Sequence, residues 1–137
     1  MIPNVRKGAE KIRLLLADDH PQVREQLAAR LRREPDFELT DVARNSRTTL
    51  RSAIDQQPHV LLIDPMMRDG LGLATLRQLV AELPDLAVVV LTAIIDTTLE
   101  MQLQGLGVRH IMVKGVSTTE LLAALRAAAV RPDEPAM

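Results

Sequence analysis

The sequence predicts an α/β domain in which one parallel sheet carries helices on both faces. Three observations lead there. Short apolar runs of strand length recur along the chain, stripes with helical spacing lie between them, and the two patterns alternate five times. Parallel neighbours need long crossovers, and right-handed helical crossovers supply them. At 137 residues, 47% of them hydrophobic, the chain can bury one real core and is too short for two.

The elements follow in order. Ile12–Ala17 is the first strand, four apolar residues running into two carboxylates. Val23, Leu27 and Leu31 repeat every four residues as a helix, with Pro21 where a first-turn proline is tolerated. Phe37–Val42 alternates apolar and polar residues, as an edge strand with one wet face does. Leu50 and Ile54 mark a second helix, with Ser46 its candidate N-cap. Val60–Ile63 is the third strand, and Leu73, Leu76 and Val80 stripe a helix stopped by Pro84. Ala87–Leu91 is the fourth strand, followed by a helix with Leu99, Leu103 and Leu106 that Gly105 and Gly107 end. Ile111–Val113 is the fifth strand. The last helix holds Leu121, Leu122, Leu125 and Ala129 and opens at Ser117, with Glu120 three residues on in a capping-box pattern. Residues 1–10 are expected to be a flexible N-terminal extension, 11–130 the domain, and 131–137, with Pro132 and Pro135, a C-terminal tail or linker.

Composition excludes several functions. There is no cysteine, hence no disulfide and no thiolate metal site. Seventeen basic and 18 acidic residues give a net charge of −1, and no basic segment stands out for nucleic acid. Phe37 is the sole aromatic, which argues against stacking of flavins or single-stranded bases. No signal peptide or bilayer-length apolar run is apparent, so a soluble, cytoplasmic domain without membrane contact is expected. Three histidines with no helical pairing make no zinc case. His59 and His110 are expected to be loop and strand-edge residues.

In open parallel sheets, ligands bind beyond the carboxyl ends of the strands. Strand one ends in Asp18-Asp19, strand three in Asp64, strand four in Thr92 and strand five in Lys114. Taken singly, an Asp after a strand is a turn former or cap, Thr92 an ordinary strand residue and Lys114 a solvated lysine. Their coincidence at one edge points to chemistry. Three converging carboxylates repel one another unless a cation joins them, and Mg²⁺ takes oxygen ligands while leaving room for phosphate oxygens. Asp64 can then serve as a nucleophile forming an acyl phosphate, with Thr92 and Lys114 as donors to the phosphoryl oxygens.

The Asp-Asp pair, the Asp ending strand three, the Thr-Ala of "LTA" and the Lys of "VKG" resemble a response-regulator receiver domain, CheY-like, of two-component signalling. The resemblance covers roughly Lys11 to Val130 and is specific in motif order and spacing. "LLADDHPQVREQL" and "KGVSTTELLAALRAA" resemble receivers that precede a C-terminal helix-turn-helix, and no such effector follows in this sequence. The resemblance implies a flavodoxin-like sheet in the order 2-1-3-4-5. It implies an Asp64 phosphorylated by a histidine kinase or phosphotransfer protein, with Asp18, Asp19, Asp64 and the Met66 carbonyl holding Mg²⁺. Thr92 and Lys114 would contact the phosphoryl group. Movement of Thr92 would reach the face of the fourth helix, fifth strand and fifth helix, where a homodimer can form. Such a domain is no enzyme beyond its own phosphorylation and dephosphorylation.

Four departures matter. The segment "DPMMRDG" is about two residues shorter than usual, which bears on the placement of the Met66 carbonyl. Arg68 stands where the family has proline; a solvated loop arginine is expected, the alternative being an arginine over the acidic cluster. Gly115 follows Lys114 where many receivers have proline. Ile111 replaces the aromatic that swings inward on activation. His20 is expected at a helix start facing solvent, the alternative being a bond to a carboxylate. A flavin carrier lacks its phosphate loop and aromatics here. A dehalogenase-type phosphatase lacks its second Asp, because that position is Met66. The alternative to phosphorylation is a pseudo-receiver, a docking module of the same fold.

Overall fold

A computed structural model describes residues 10–130. Five strands and five helices alternate: β1 (Ile12–Ala17), α1 (Pro21–Arg32), β2 (Phe37–Ala43), α2 (Ser46–Gln56), β3 (Val60–Ile63), α3 (Gly72–Glu82), β4 (Ala87–Thr92), α4 (Thr97–Gly105), β5 (His110–Val113) and α5 (Thr118–Ala128). The strands form one parallel sheet in the order β2-β1-β3-β4-β5. The order anticipated from the resemblance is therefore present, and β2 is an edge strand. Of the flanking segments, 1–9 and 131–137 lie outside the described residues. Glu10 is described, and its carboxylate stands 3.5 Å from the His59 ring.

Alternation of side chains along the strands divides the core in two. Leu14, Leu16, Val60, Leu62, Val89 and Leu91 face α1 and α5 in one buried cluster. Leu15, Leu61, Ile63, Val88 and Val90 face the other way, against Ala53 of α2, Leu76 and Leu79 of α3, and Leu99 and Leu103 of α4. Strands buried on both faces need no polar alternation, which is why β3 is an unbroken apolar run and why β1 from Leu14 to Ala17 and β4 from Ala87 to Leu91 are as well. In β2 the register slips by one residue: Leu14 pairs with Leu39 but Leu15 with Asp41. The skipped Thr40 turns its hydroxyl back to donate to the Leu14 carbonyl.

Helix starts follow local chemistry, with one correction. Asp96 and Ser117 cap α4 and α5 by accepting from Leu99 and Glu120 N–H groups. Pro21 occupies the first turn of α1. The N-cap of α2 is Asn45, not Ser46: Asn45 accepts from the Thr48 N–H, while Ser46 is already helical and buried. Ser46 bonds instead to Asp69, 23 residues away, a partner no local pattern announces. Leu106 falls just past α4 as its C-cap rather than within it.

Candidate functional site

The site is built by prolonging the strands one residue. The Asp18 N–H donates to the Ala43 carbonyl, Asp64 N–H to Ala17 and Lys114 N–H to Thr92, so each polar residue hangs from one more ladder bond than its strand possesses. Three backbones are thereby fixed at one edge. Their side chains converge without helix or loop having to place them.

The Lys114 ammonium lies 2.9 Å from Asp18 Oδ2 and 2.8 Å from Asp64 Oδ2. Asp18 and Asp64 are both buried to 2% exposure, where an unpaired charge is costly and a shared cation is the remedy. Burial lowers the Lys114 pKa, but the hydrogen bonds with Asp64 and Asp18 outweigh it and leave the pKa raised. The other oxygen of Asp64 accepts the Met66 N–H at 2.9 Å. The Thr92 hydroxyl, also buried, donates to the Ile94 carbonyl at a long 3.5 Å rather than to Asp64.

Two residues expected in solvent prove to be both exposed and engaged. His20 is the N-cap of α1. Its backbone N–H donates to Asp18 Oδ1, and its ring Nδ1 stands 3.0 Å from that oxygen and 3.0 Å from Lys114 Nζ. One nitrogen can donate to the carboxylate or accept from the ammonium, not both. Arg68 is 77% exposed, yet its backbone N–H donates to Asp19 Oδ2 at 2.7 Å and its Nε lies 3.4 Å from the same atom. It therefore takes the position over the acidic cluster that was the less expected of the two. Sequence reasoning missed Arg24, whose guanidinium donates to the Asp18 carbonyl at 3.1 Å. It also missed the Asp69 clasp on Ser46.

The residues fit a hard cation. Oxygen atoms of Asp18 and Asp19 and a ring nitrogen of His20 lie within 4.8 Å of one another. Asp19 Oδ1 is buried and, among the described residues, accepts no hydrogen bond, the His20 Nδ1 standing 3.4 Å away. Its lone pairs are therefore available to a cation. Carboxylate oxygens suit Mg²⁺, whereas the imidazole nitrogen does not add to that preference.

Together, fold and edge define a doubly wound α/β module carrying an acid–lysine site at its strand ends. Residues 14–126 match the model of the response regulator receiver domain. The chain belongs to that family, the receiver domains of two-component response regulators. The transcriptional regulatory protein LiaR of Bacillus subtilis is 35% identical over 117 residues, 85% of this chain and 56% of LiaR. The response regulator protein VraR of Staphylococcus saprophyticus is 26% identical over 84% of this chain and 55% of its own length. The chain thus spans about half the length of these curated relatives. Among solved structures, the response regulator domain of Thermotoga maritima CheB superposes with a TM-score of 0.79 at 22% identity, covering 90% of this chain and 100% of that one. A LuxR-family DNA-binding response regulator from Staphylococcus aureus gives 0.80 at 18%, covering 87% and 99%. Both likenesses are of fold.

Proposed function

We propose that this domain is a phosphoacceptor, in which Asp64 takes a phosphoryl group from a sensor histidine kinase or phosphotransfer protein and the modified domain presents an altered protein-binding face. One observation carries the reading: Asp64, buried at the end of the central strand, shares the Lys114 ammonium with Asp18. An Asp64 oxygen attacks phosphorus. The bond from phosphorus to the donor's imidazole nitrogen breaks, the imidazole leaves with the electron pair and takes up a proton, and an acyl phosphate forms. Lys114, already on Asp64, donates to an oxygen that the phosphoryl group brings, and its raised pKa keeps it a cation throughout.

Thr92 is the second donor. To reach the phosphoryl group its hydroxyl leaves the Ile94 carbonyl, and that exchange couples the site to the segment leading into α4 and so to the face of α4, β5 and α5. A homodimer through that face is one form of output. Asp18 and Asp19 would hold Mg²⁺, with Asp64 and the Met66 carbonyl completing the oxygen set. When bound, the ion supplies the positive charge that three carboxylates and an incoming phosphoryl group require. In this reading residues 11–130 are the receiver, 1–10 and 131–137 flank it, and the domain works in the cytoplasm without touching nucleic acid or membrane itself.

A second reading, the pseudo-receiver used for docking alone, draws on Arg68 over Asp19 and on Ile111, which packs inward without an aromatic ring. Intact mass decides between them. With a small-molecule phosphodonor and Mg²⁺ the wild type gains one phosphoryl mass, chelation suppresses the gain, and Asp64→Asn abolishes it. Labelling of Asp64→Asn at the wild-type rate, or no labelling of the wild type, defeats the phosphoacceptor reading.

A further inference from the structure

The short β3–α3 loop is fastened at every turn. The Met66 N–H returns to Asp64, Met67 is buried, and the Gly70 N–H donates to the Met67 carbonyl with Gly70 at φ +75°. Asp69 accepts from the backbone and hydroxyl of Ser46 on α2 and from the Leu71 N–H. Gly72 lies so close beneath that a Cβ there would stand 1.8 Å from the Pro65 carbonyl oxygen. A loop held this tightly delivers residue 68 to a fixed place, and that place is Asp19. Two groups of Arg68 arrive there. The backbone N–H takes up Asp19 Oδ2, and the guanidinium sets a positive charge 3.4 Å from it. Proline at this position would have no N–H to give.

We propose that Arg68 is a built-in competitor of the divalent cation at Asp19: it partly neutralises the outer carboxylate of the site and weakens Mg²⁺ binding. This rests on the reading of Asp18 and Asp19 as metal-holding residues. Two effects have the same sign. The guanidinium repels an incoming dication, and one Asp19 oxygen is already engaged by a donor. The guanidinium is exposed, so its share is that of a surface ion pair.

The test is the Mg²⁺ dissociation constant of the whole 137-residue chain, read from backbone amide shifts without any phosphodonor. Arg68→Ala tightens binding by roughly two- to fivefold, the range a surface ion pair spans. Arg68→Lys, which keeps the charge, stays near wild type, and Arg68→Glu binds more tightly than Arg68→Ala. Arg51→Ala, an exposed arginine on α2, makes the same change in net charge and leaves the constant unaltered. Arg68 is exposed enough that none of these variants threatens folding. Equal affinity in the wild type, Arg68→Ala and Arg68→Glu, with Asp19→Asn abolishing binding, overturns the competition and leaves the metal site standing. Undiminished binding in Asp19→Asn overturns the metal site and the competition with it.

Discussion

Asp64 has both oxygens engaged, one by the Met66 N–H and one by Lys114, so the candidate nucleophile is held in a single orientation before any donor arrives. What happens after phosphorylation turns on two other residues. Met66 and Ile94, two positions beyond Asp64 and Thr92, are 57% and 77% exposed. Both are apolar, and neither can accept a proton or orient a water as an amide or carboxylate does. Hydrolysis of an acyl phosphate needs a water aligned with the breaking bond, and access without alignment forgoes the entropic part of catalysis. The aspartyl phosphate is therefore expected to be long-lived. Its decay, timed by intact mass, should quicken about tenfold or more in a Met66→Asn, Ile94→Glu double variant, within the range of a positioned acid–base group. Equal decay in the two proteins would refute the idea.

At the scale of elements, the carboxylate of Asp69 ties the β3–α3 loop to the start of α2. Burial is the largest single influence on Asp69 and raises its pKa, but N–H bonds from Leu71 and Ser46 and the Ser46 hydroxyl together outweigh it and hold the pKa below 3.8. A lowered pKa means stability that is present above 3.8 and lost as pH falls through the folded value. Asp69→Ala is expected to cost about 1 kcal/mol near neutral pH, as loss of a helix cap does. The difference in melting temperature from wild type should shrink below pH 3.8. A gap that stays constant into acid would show that Asp69 acts through packing rather than charge.

Ile111 on β5 belongs to the same scale. It is partly buried and packs into the cluster that holds Leu99 and Leu103 of α4. A side chain already inward has no second position comparable to a swinging ring, and a population shift needs contacts that differ between states. Phosphorylation should therefore shift amide resonances most near Asp64, Thr92 and Lys114, and shift those of the α4, β5 and α5 face by less than in a receiver with an aromatic at this position. Shifts across that face as large as in such a receiver would contradict this.

Elements bounded by local chemistry were legible in the sequence. β1 and β3 run where their apolar stretches run, and Ser117 caps α5 because the capping pattern lies within four residues. The polar residues of the edge were legible for the same reason, each sitting at or directly after the end of a strand. What escaped was long-range: Asp69 on Ser46 is 23 residues away and Arg68 on Asp19 is 49. Single residues in loops carry no periodicity to announce such pairs. Gly115 stands where many receivers have proline, and its φ of +102° is a value proline cannot adopt.

For the molecule as a whole, the sheet has two cores and neither can be spared. Leu61 and Leu62 of the central strand are both buried, one facing each cluster. Leu61→Ala and Leu62→Ala should each cost about 2–5 kcal/mol in chemical denaturation, with a single transition in each case. A negligible cost at one of them would mean that its face folds independently of the other.

Gly72 against the Pro65 carbonyl also makes two features of the chain mutually dependent. With the loop as short as it is, any side chain at position 72 collides with backbone, so Gly72→Ala should cost ~1–3 kcal/mol as an overpacked site does. If two residues are first inserted after Arg68, the loop can swing clear and the same substitution becomes nearly neutral, a non-additivity that a double-mutant cycle measures directly. The order of events then matters. Whichever of the two changes is made first sets the cost of the other.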